Sequence, residues 1–466
     1  MRTVVVGGGA AGIAAARHLY DRGADVLLVE AGATLGGRAK SWSLALPDWG
    51  DARDPSPFPA VPSLRTPGSA RDGRHDDAPP SSIGVSRLGP GIRRGDETGG
   101  DADSNGAENT IPVDAGCGWL HSAGRNSWTA IAQASGFAID RSSPNWDVQW
   151  RDLGFPPAEQ QAFGEAYDRW DAAAHAALDG PDRPLSDFVA ADDPWRPMLD
   201  AISGYVNGAP LDRVSLRDWA AYEDEATDDN WALPAGYGTL IAHHAKRLPV
   251  RLGTSVTRID HRGRMIRLDT PAGTIEADRV VLALPTTAYA AIAFDPPLPD
   301  KLQAAADLPL GLADKVFIAV DGPEWPAHAH LTGNPHSGCT ASHRLSPFGR
   351  PIIESFFGGA CAEAMATRED AIAFAVDELV GLLGSGWRAR LLPLAATHWR
   401  GERFIHGSYS HARVGRAGAR AILAEPVDGR LFFAGEACSR HDFSTAHGAH
   451  DTGLAAATAI LTQRAD

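Results

Sequence analysis

At 466 residues, 44% of them apolar and 22% charged, the chain is too long for one simple core and predicts two interleaved domains. Its 58 acidic against 43 basic residues leave a net charge of −15, which argues against nucleic acid or an anionic membrane as partner and mildly favours cationic ligands. No apolar run approaches the roughly 20 residues that cross a bilayer, so no membrane anchor is expected; Cys117, Cys339, Cys361 and Cys438 lack C-x-x-C or zinc spacing, so neither a disulfide framework nor a metal site is expected, and the setting reads as reducing and cytoplasmic.

The chain begins with a β-branched run, Thr3-Val4-Val5-Val6, which predicts a buried parallel strand. Gly7, Gly9 and Gly12 then supply G-x-G-x-x-G at the turn into a helix from about Ala10 to Asp21. In such a turn the glycines admit a pyrophosphate, and the helix N–H groups around Ala11 and the helix dipole favour it. A second strand, Asp25 to Val29, ends at Glu30, placed to accept hydrogen bonds from a ribose 2′-hydroxyl. Six residues further on stands Gly36-Gly37-Arg38-Ala39-Lys40-Ser41. With this run the sequence resembles the flavin-containing amine oxidase superfamily, where G-G-R-x-x-S/T follows the ribose acid. The resemblance implies FAD rather than a nicotinamide dinucleotide, with Gly37 and Arg38 close to its pyrophosphate and flavin.

From about Pro47 to Asn109, Pro, Gly, Ser, Asp and Arg dominate and no hydrophobic period survives, which predicts a disordered insertion. Order returns with Ile111-Pro112-Val113-Asp114, then Gly116, Gly118, Trp119 and His121. This resembles the amine oxidase segment beside the flavin ring, and the Trp119-x-His121 ending looks closest to the polyamine oxidase branch. Gly116 and Trp119 are therefore expected at the cofactor, and His121 at the substrate channel, where it could bond an amine or position water near neutral pH. Residues 127–229 predict amphipathic helices near 128–135, 159–178 and 194–206. An acidic patch, Glu223-Asp224-Glu225 with Asp228-Asp229, reads as a solvated face.

Trp231 to Gly238 leads into a helix expected to reach about Leu248, followed by strands over 250–252, 255–259 and 279–285. The order matches the family, where the residue corresponding to Val256 holds the adenine through its backbone. Lys315 leads a strand to Val320 and resembles the family's lysine, which faces the flavin N5 nitrogen through a water. Tyr409 matches an aromatic beside the flavin. Monoamine oxidases place a flavin-binding cysteine before that tyrosine; Ser408 stands here, which implies non-covalent FAD. The last strand, Arg430 to Ala434, runs into Gly435 and Glu436, expected at the ribityl and phosphate. Phe443-Ser444-Thr445-Ala446-His447-Gly448-Ala449 then starts the final helix, whose dipole can stabilise a reduced ring. Thr445, where monoamine oxidases carry a second tyrosine, again looks like the polyamine oxidase branch.

The expected architecture is α/β: a Rossmann-like FAD-binding domain (1–46, 110–135, 230–287 and 401–466) interleaved with a mixed α+β substrate-binding domain (136–229 and 288–400). The resemblance implies oxidation of a small-molecule amine, polyamine-like or another primary or secondary amine. Hydride passes to flavin, oxygen reoxidises it to hydrogen peroxide, and the imine hydrolyses. Lys315, Tyr409, His121 and Thr445 are the expected catalytic residues, Ala449 joins the cofactor set, and the oligomeric state is open. The rivals are an L-amino acid oxidase, which needs an arginine for the substrate carboxylate, a desaturase, and a non-catalytic flavin-binding protein.

Overall fold

The computed structural model of the chain describes residues 1–49 and 109–463; the expected insertion over 47–109 lies outside them except at its two ends. Arg2–Val6 is the central strand of a five-stranded parallel sheet. Asp25–Val29 and Arg279–Ala283 flank it, and Val250–Arg251 and Leu431–Ala434 form the edges. The valine run is continuous because both faces are covered. Val5 packs beneath the helices Ala10–Asp21 and Ala446–Thr462, while Val4 and Val6 pack toward Ile266 and Leu268 of a smaller four-stranded sheet. A Cβ at Gly12 would stand 1.8 Å from the Gly7 carbonyl oxygen, so only glycine seats the first helix on its turn.

A second five-stranded sheet is antiparallel, in the order Ala329–Thr332, Ser342–Leu345, Ile352–Gly358, Ala313–Val320, Leu391–Ala396. Strand alternation divides its residues between two faces. Val316, Ile318, Ile353 and Phe357 enter a core with Ala375 and Leu379 of the helix Arg368–Leu383. Lys315, Glu354, Arg344 and His330 face a cavity instead, across from the helices Pro157–Ala176, Arg196–Asn207 and Leu216–Glu223.

Three expectations change. The helix expected to reach Leu248 spans only Tyr237–His244: Arg247 adopts φ +68° and Pro249 follows, a combination that cannot continue a helix. Ahead of it, Trp231–Ala232 is a strand paired with Trp119–Leu120. The strand expected over 255–259 is Arg258–Asp260, which leaves Val256 in the irregular segment before it. Finally, Cys339 and Cys361 form a disulfide with Cα atoms 4.5 Å apart, contrary to the reading from cysteine spacing. The loop 333–341 folds back onto the short helix Ala360–Ala364, a proximity that spacing does not reveal, and the premise for a reducing setting goes with it. Cys117 and Cys438 are free, and burial pushes both thiols up to about 12. Among the described residues no helix is long and apolar enough to cross a membrane, and no group of His, Cys, Asp and Glu could hold a metal ion.

Candidate active site

Gly9 caps the first helix without a side-chain bond and no acid lies in the first turn. The N–H groups of Ala10, Ala11 and Gly12 have no partner among the described residues, so a ring of donors is left for an anion. Glu30 is positioned by two backbone donors: Oε2 accepts from Gly8 N–H at 2.7 Å and Oε1 from Gly32 N–H at 2.6 Å. Each oxygen keeps a further lone pair for a hydroxyl. Gly37 lies directly against Gly9. Arg38 Nη1 donates to Ser408 O at 2.6 Å and to Glu436 Oε1 at 2.8 Å. The Gly-Gly-Arg turn is thus tied to two segments some 370 and 398 positions away.

Burial pushes the Glu436 carboxyl up, but Arg38, Arg420 and the Ser410 hydroxyl outweigh it and hold the group below its usual range. Gly435 N–H donates to Thr452 Oγ1 at 3.0 Å, and Ala449 is buried on the same final helix. The backbone N–H and C=O of Val256 engage nothing among the described residues. Ser408 Oγ is buried without a partner. Free helix donors, a fixed ribose-type acid, an unengaged backbone edge and an orphaned hydroxyl fit FAD.

Next to this cradle lies a cavity of about 820 Å³. Gly116, Tyr409, Ser444 and Thr445 contribute both to its wall and to the segments that form the cradle. A Cβ at Gly116 would meet the Arg38 carbonyl oxygen at 1.7 Å, so this approach of two backbones requires glycine. Trp119 stands on the cavity wall, its ring edge-on to Trp146 at 5.1 Å. His121 is on the same wall, with Nδ1 2.6 Å from Asn230 Oδ1; the Asn230 amide donates to Asp228 O, so Oδ1 accepts and the imidazole keeps its Nε2 lone pair. Burial lowers its pKa to about 4. Contrary to the expectation of titration near neutrality, His121 is a neutral acceptor there.

Lys315 Nζ donates to Asp114 O at 3.0 Å and lies 2.6 Å from Glu354 Oε1. The expected lysine is in the cavity wall, but with a counter-ion that sequence reasoning missed. Asp114 in turn accepts from Ser41 Oγ at 2.6 Å and from Tyr237 N–H at 2.9 Å, joining the end of the Gly-Gly-Arg run to the next helix. The Tyr409 hydroxyl donates to Tyr205 O, and burial pushes its pKa up, so the residue offers a ring rather than an acid or base. Thr445 is the N-cap of the final helix: its Oγ1 accepts from Gly448 N–H at 3.0 Å and donates to Asp442 O at 2.6 Å. Its hydroxyl is occupied by the helix end.

Glu354, Arg344, Glu223 and Asp228 also line the cavity and were not singled out from sequence. Glu354 carried a usable signal, an isolated charge inside the apolar strand run Ile352–Phe357, whereas Arg344, flanked by His343 and Leu345 in Ser342–Leu345, did not. Glu223 did not, because its acidic neighbours make it look solvated. Burial, with Asp171 nearby, pushes Glu223 up to about 7.

The sequence profile described as "Flavin containing amine oxidoreductase" matches residues 182–461, and one described as "NAD(P)-binding Rossmann-like domain" matches residues 5–57. Lysine-specific histone demethylase 1 homolog 2 of Arabidopsis thaliana is 27% identical over 98% of this chain and 58% of its own length. Polyamine oxidase 3 of Oryza sativa subsp. japonica is 32% identical over 55% of this chain and 52% of its own. The chain spans little more than half the length of these curated relatives. Among solved structures, cyclohexylamine oxidase from Brevibacterium oxydans IH-35A superposes with a TM-score of 0.67 at 20% identity, covering 100% of this chain and 99% of that one. Putrescine oxidase bound to putrescine superposes with a TM-score of 0.68 at 17% identity, covering 99% of each chain. The fold is therefore that of these amine oxidases, and by the profile match the chain belongs to the family of flavin containing amine oxidoreductases.

Proposed function

We propose that the chain is an FAD-dependent oxidoreductase that oxidises the C–N bond of a primary or secondary amine, polyamine-like or similar, with oxygen as final acceptor and hydrogen peroxide as product. The observation that carries this reading is the junction of cavity and cradle. Tyr409 follows Ser408, and Ser444 N–H donates to Glu436 Oε2 at 2.9 Å, so one pair of segments serves both. When bound by Gly9, Ala11, Glu30, Arg38, Val256 and Glu436, FAD supplies a two-electron acceptor that the amino acids lack. The chain's own residues do the rest. Trp119, Tyr205, Phe356 and Tyr409 give the inner wall an aromatic lining, which excludes water and disfavours a protonated amine. His121, held neutral, accepts an amine N–H through Nε2. Lys315, fixed by Asp114 and Glu354, holds an ammonium N–H at the wall. Asp168, Glu223 and Asp228 on the helical side suit a second cationic nitrogen. Water then hydrolyses the imine to a carbonyl compound, releasing ammonia from a primary amine or an amine from a secondary one.

The test is anaerobic addition of amines, from monoamines to spermine, to the FAD-loaded protein. Bleaching of the yellow flavin by at least one amine, with peroxide formed on readmitting air, is expected. An FAD-loaded protein that no amine bleaches would overturn the proposal and favour a non-catalytic flavoprotein.

A further inference from the structure

Arg344 sits on the strand Ser342–Leu345, opposite Glu354 in register. The carboxylate that would neutralise it is committed elsewhere, since Glu354 pairs with Lys315 at 2.6 Å. Glu354, Asp140 and Asp114 act on the Arg344 guanidinium from a distance, but among the described residues no carboxylate oxygen comes within 4.0 Å of it. The group lies over two rings, its Cζ 4.4 Å from the Trp119 centroid and 4.8 Å from that of Phe348. One Nη2–H goes to His328 Nδ1 at 3.1 Å, and His328 Nε2 is 3.1 Å from Asp140 Oδ2. That chain fixes the guanidinium's orientation through a neutral imidazole. Nε is buried without a partner, and Nη1 has no acceptor among the described residues.

Buried charges are paired, and an exception in a cavity wall marks a ligand site. A planar guanidinium with unused in-plane donors matches one ligand chemistry best, a carboxylate taken edge-on through two N–H groups. With Nε buried and one Nη2–H given to His328, Nη1 and the second Nη2–H are the donors left for it. Besides Glu354, the carboxylates of the same cavity are Asp147, Asp168, Glu223 and Asp228; Asp168 and Glu223 stand on helices and suit a cationic nitrogen. We propose that Arg344 binds a carboxylate of the substrate, so that the preferred substrates are amines that also bear a carboxylate, diamino acids above all. The proposal rests on the amine-oxidising reading and assigns the substrate class within it.

L-lysine and cadaverine form a matched pair, differing only in the carboxylate, and hexanoate supplies a carboxylate without an amine. The FAD-loaded wild type should have a higher kcat/KM for lysine than for cadaverine, and hexanoate should compete with both. Arg344→Gln should lose about 10- to 100-fold on lysine, the scale of a hydrogen bond to a charged group, while cadaverine changes little and hexanoate inhibition disappears. Arg344→Lys, which keeps the charge but not the fork, should recover part of the lysine activity. Equal turnover of the two substrates by the wild type, or a parallel loss on both in Arg344→Gln, would overturn the proposal and leave Arg344 a structural cation. Should Arg344→Gln fail to fold, the lysine-to-cadaverine ratio of the wild type decides alone. If no amine is oxidised at all, it is the oxidase reading that fails. Quenching of the Trp119 and Trp146 fluorescence by hexanoate in the wild type would still support the carboxylate site, and its absence would sink it.

Discussion

Lys315 is the residue whose neighbourhood most alters its expected behaviour. Its ammonium and the Glu354 carboxylate are 9% and 14% exposed, so removing one partner strands a buried charge. Lys315→Met should therefore lower stability by about 3–5 kcal/mol, and Lys315→Met with Glu354→Gln should recover most of it, as read from denaturant midpoints. The double variant is then the fair test of oxygen reactivity. Stopped-flow reoxidation should be slower while anaerobic reduction by amine persists; crippled reduction with normal reoxidation would move Lys315 to the amine half-reaction. Glu30 has a double task, because it braces Gly8 and Gly32 before any ligand arrives. Glu30→Ala should weaken FAD retention by about 1–3 kcal/mol, the scale of hydrogen bonds left unmade. It should also lower the melting temperature of the apoprotein, and an unaffected FAD dissociation constant would remove Glu30 from the cofactor site.

At the scale of elements, legibility followed sequence distance. The turn from Gly7 to Gly12, the first helix and Glu30 all lie within thirty residues, and local spacing was enough to read them. Lys315 and Glu354 are 39 positions apart on neighbouring strands, and nothing in either strand alone announces the pair. Burial also rewrites chemistry that residue type suggests, as His121 shows, and helix ends claim side chains that look catalytic, as Thr445 shows. The disulfide was missed for the same reason of distance. It closes a loop with a sequence separation of 22, and it anchors the hairpin that carries His330, Thr332 and Ser342 into the cavity. Reducing it, or substituting Cys339→Ser, should cost about 3 kcal/mol in the loop-entropy account, visible as a lower urea midpoint in the presence of reductant. Identical midpoints with and without reductant would show that the two thiols are not joined in solution.

Over the whole molecule, buried imidazoles make stability depend on pH. Burial lowers His121 and His411 to about 4 and His330 to about 3, from 6.5. The unfolded chain therefore takes up protons that the folded chain refuses. The part of the stability that these three rings carry is full above pH 6.5 and falls as pH drops toward 4, because there the unfolded state binds more protons; Glu223, raised to about 7, contributes with the opposite sign. Melting temperatures should decline over that window, and His330→Asn should flatten part of the slope; a melting temperature constant from neutrality to pH 4 would mean these rings are not buried as described. The parallel sheet has a second consequence, for how the protein is made. Its strands come from the two extremes of the chain, Arg2–Val6 joined through Arg279–Ala283 to Leu431–Ala434, and Arg38 finds its partners only at Ser408 and Glu436. A ribosome delivers these pieces in order, N-terminal first, so the glycine turn waits until Leu431–Ala434 and Glu436 are made for the segments that complete it. Nascent chains stalled before residue 430 should retain no FAD, and retention should appear only once the final helix has emerged. The cofactor would then join only after the segment around Glu436 is made, so its site is assembled by tertiary closure and not by the local glycine turn.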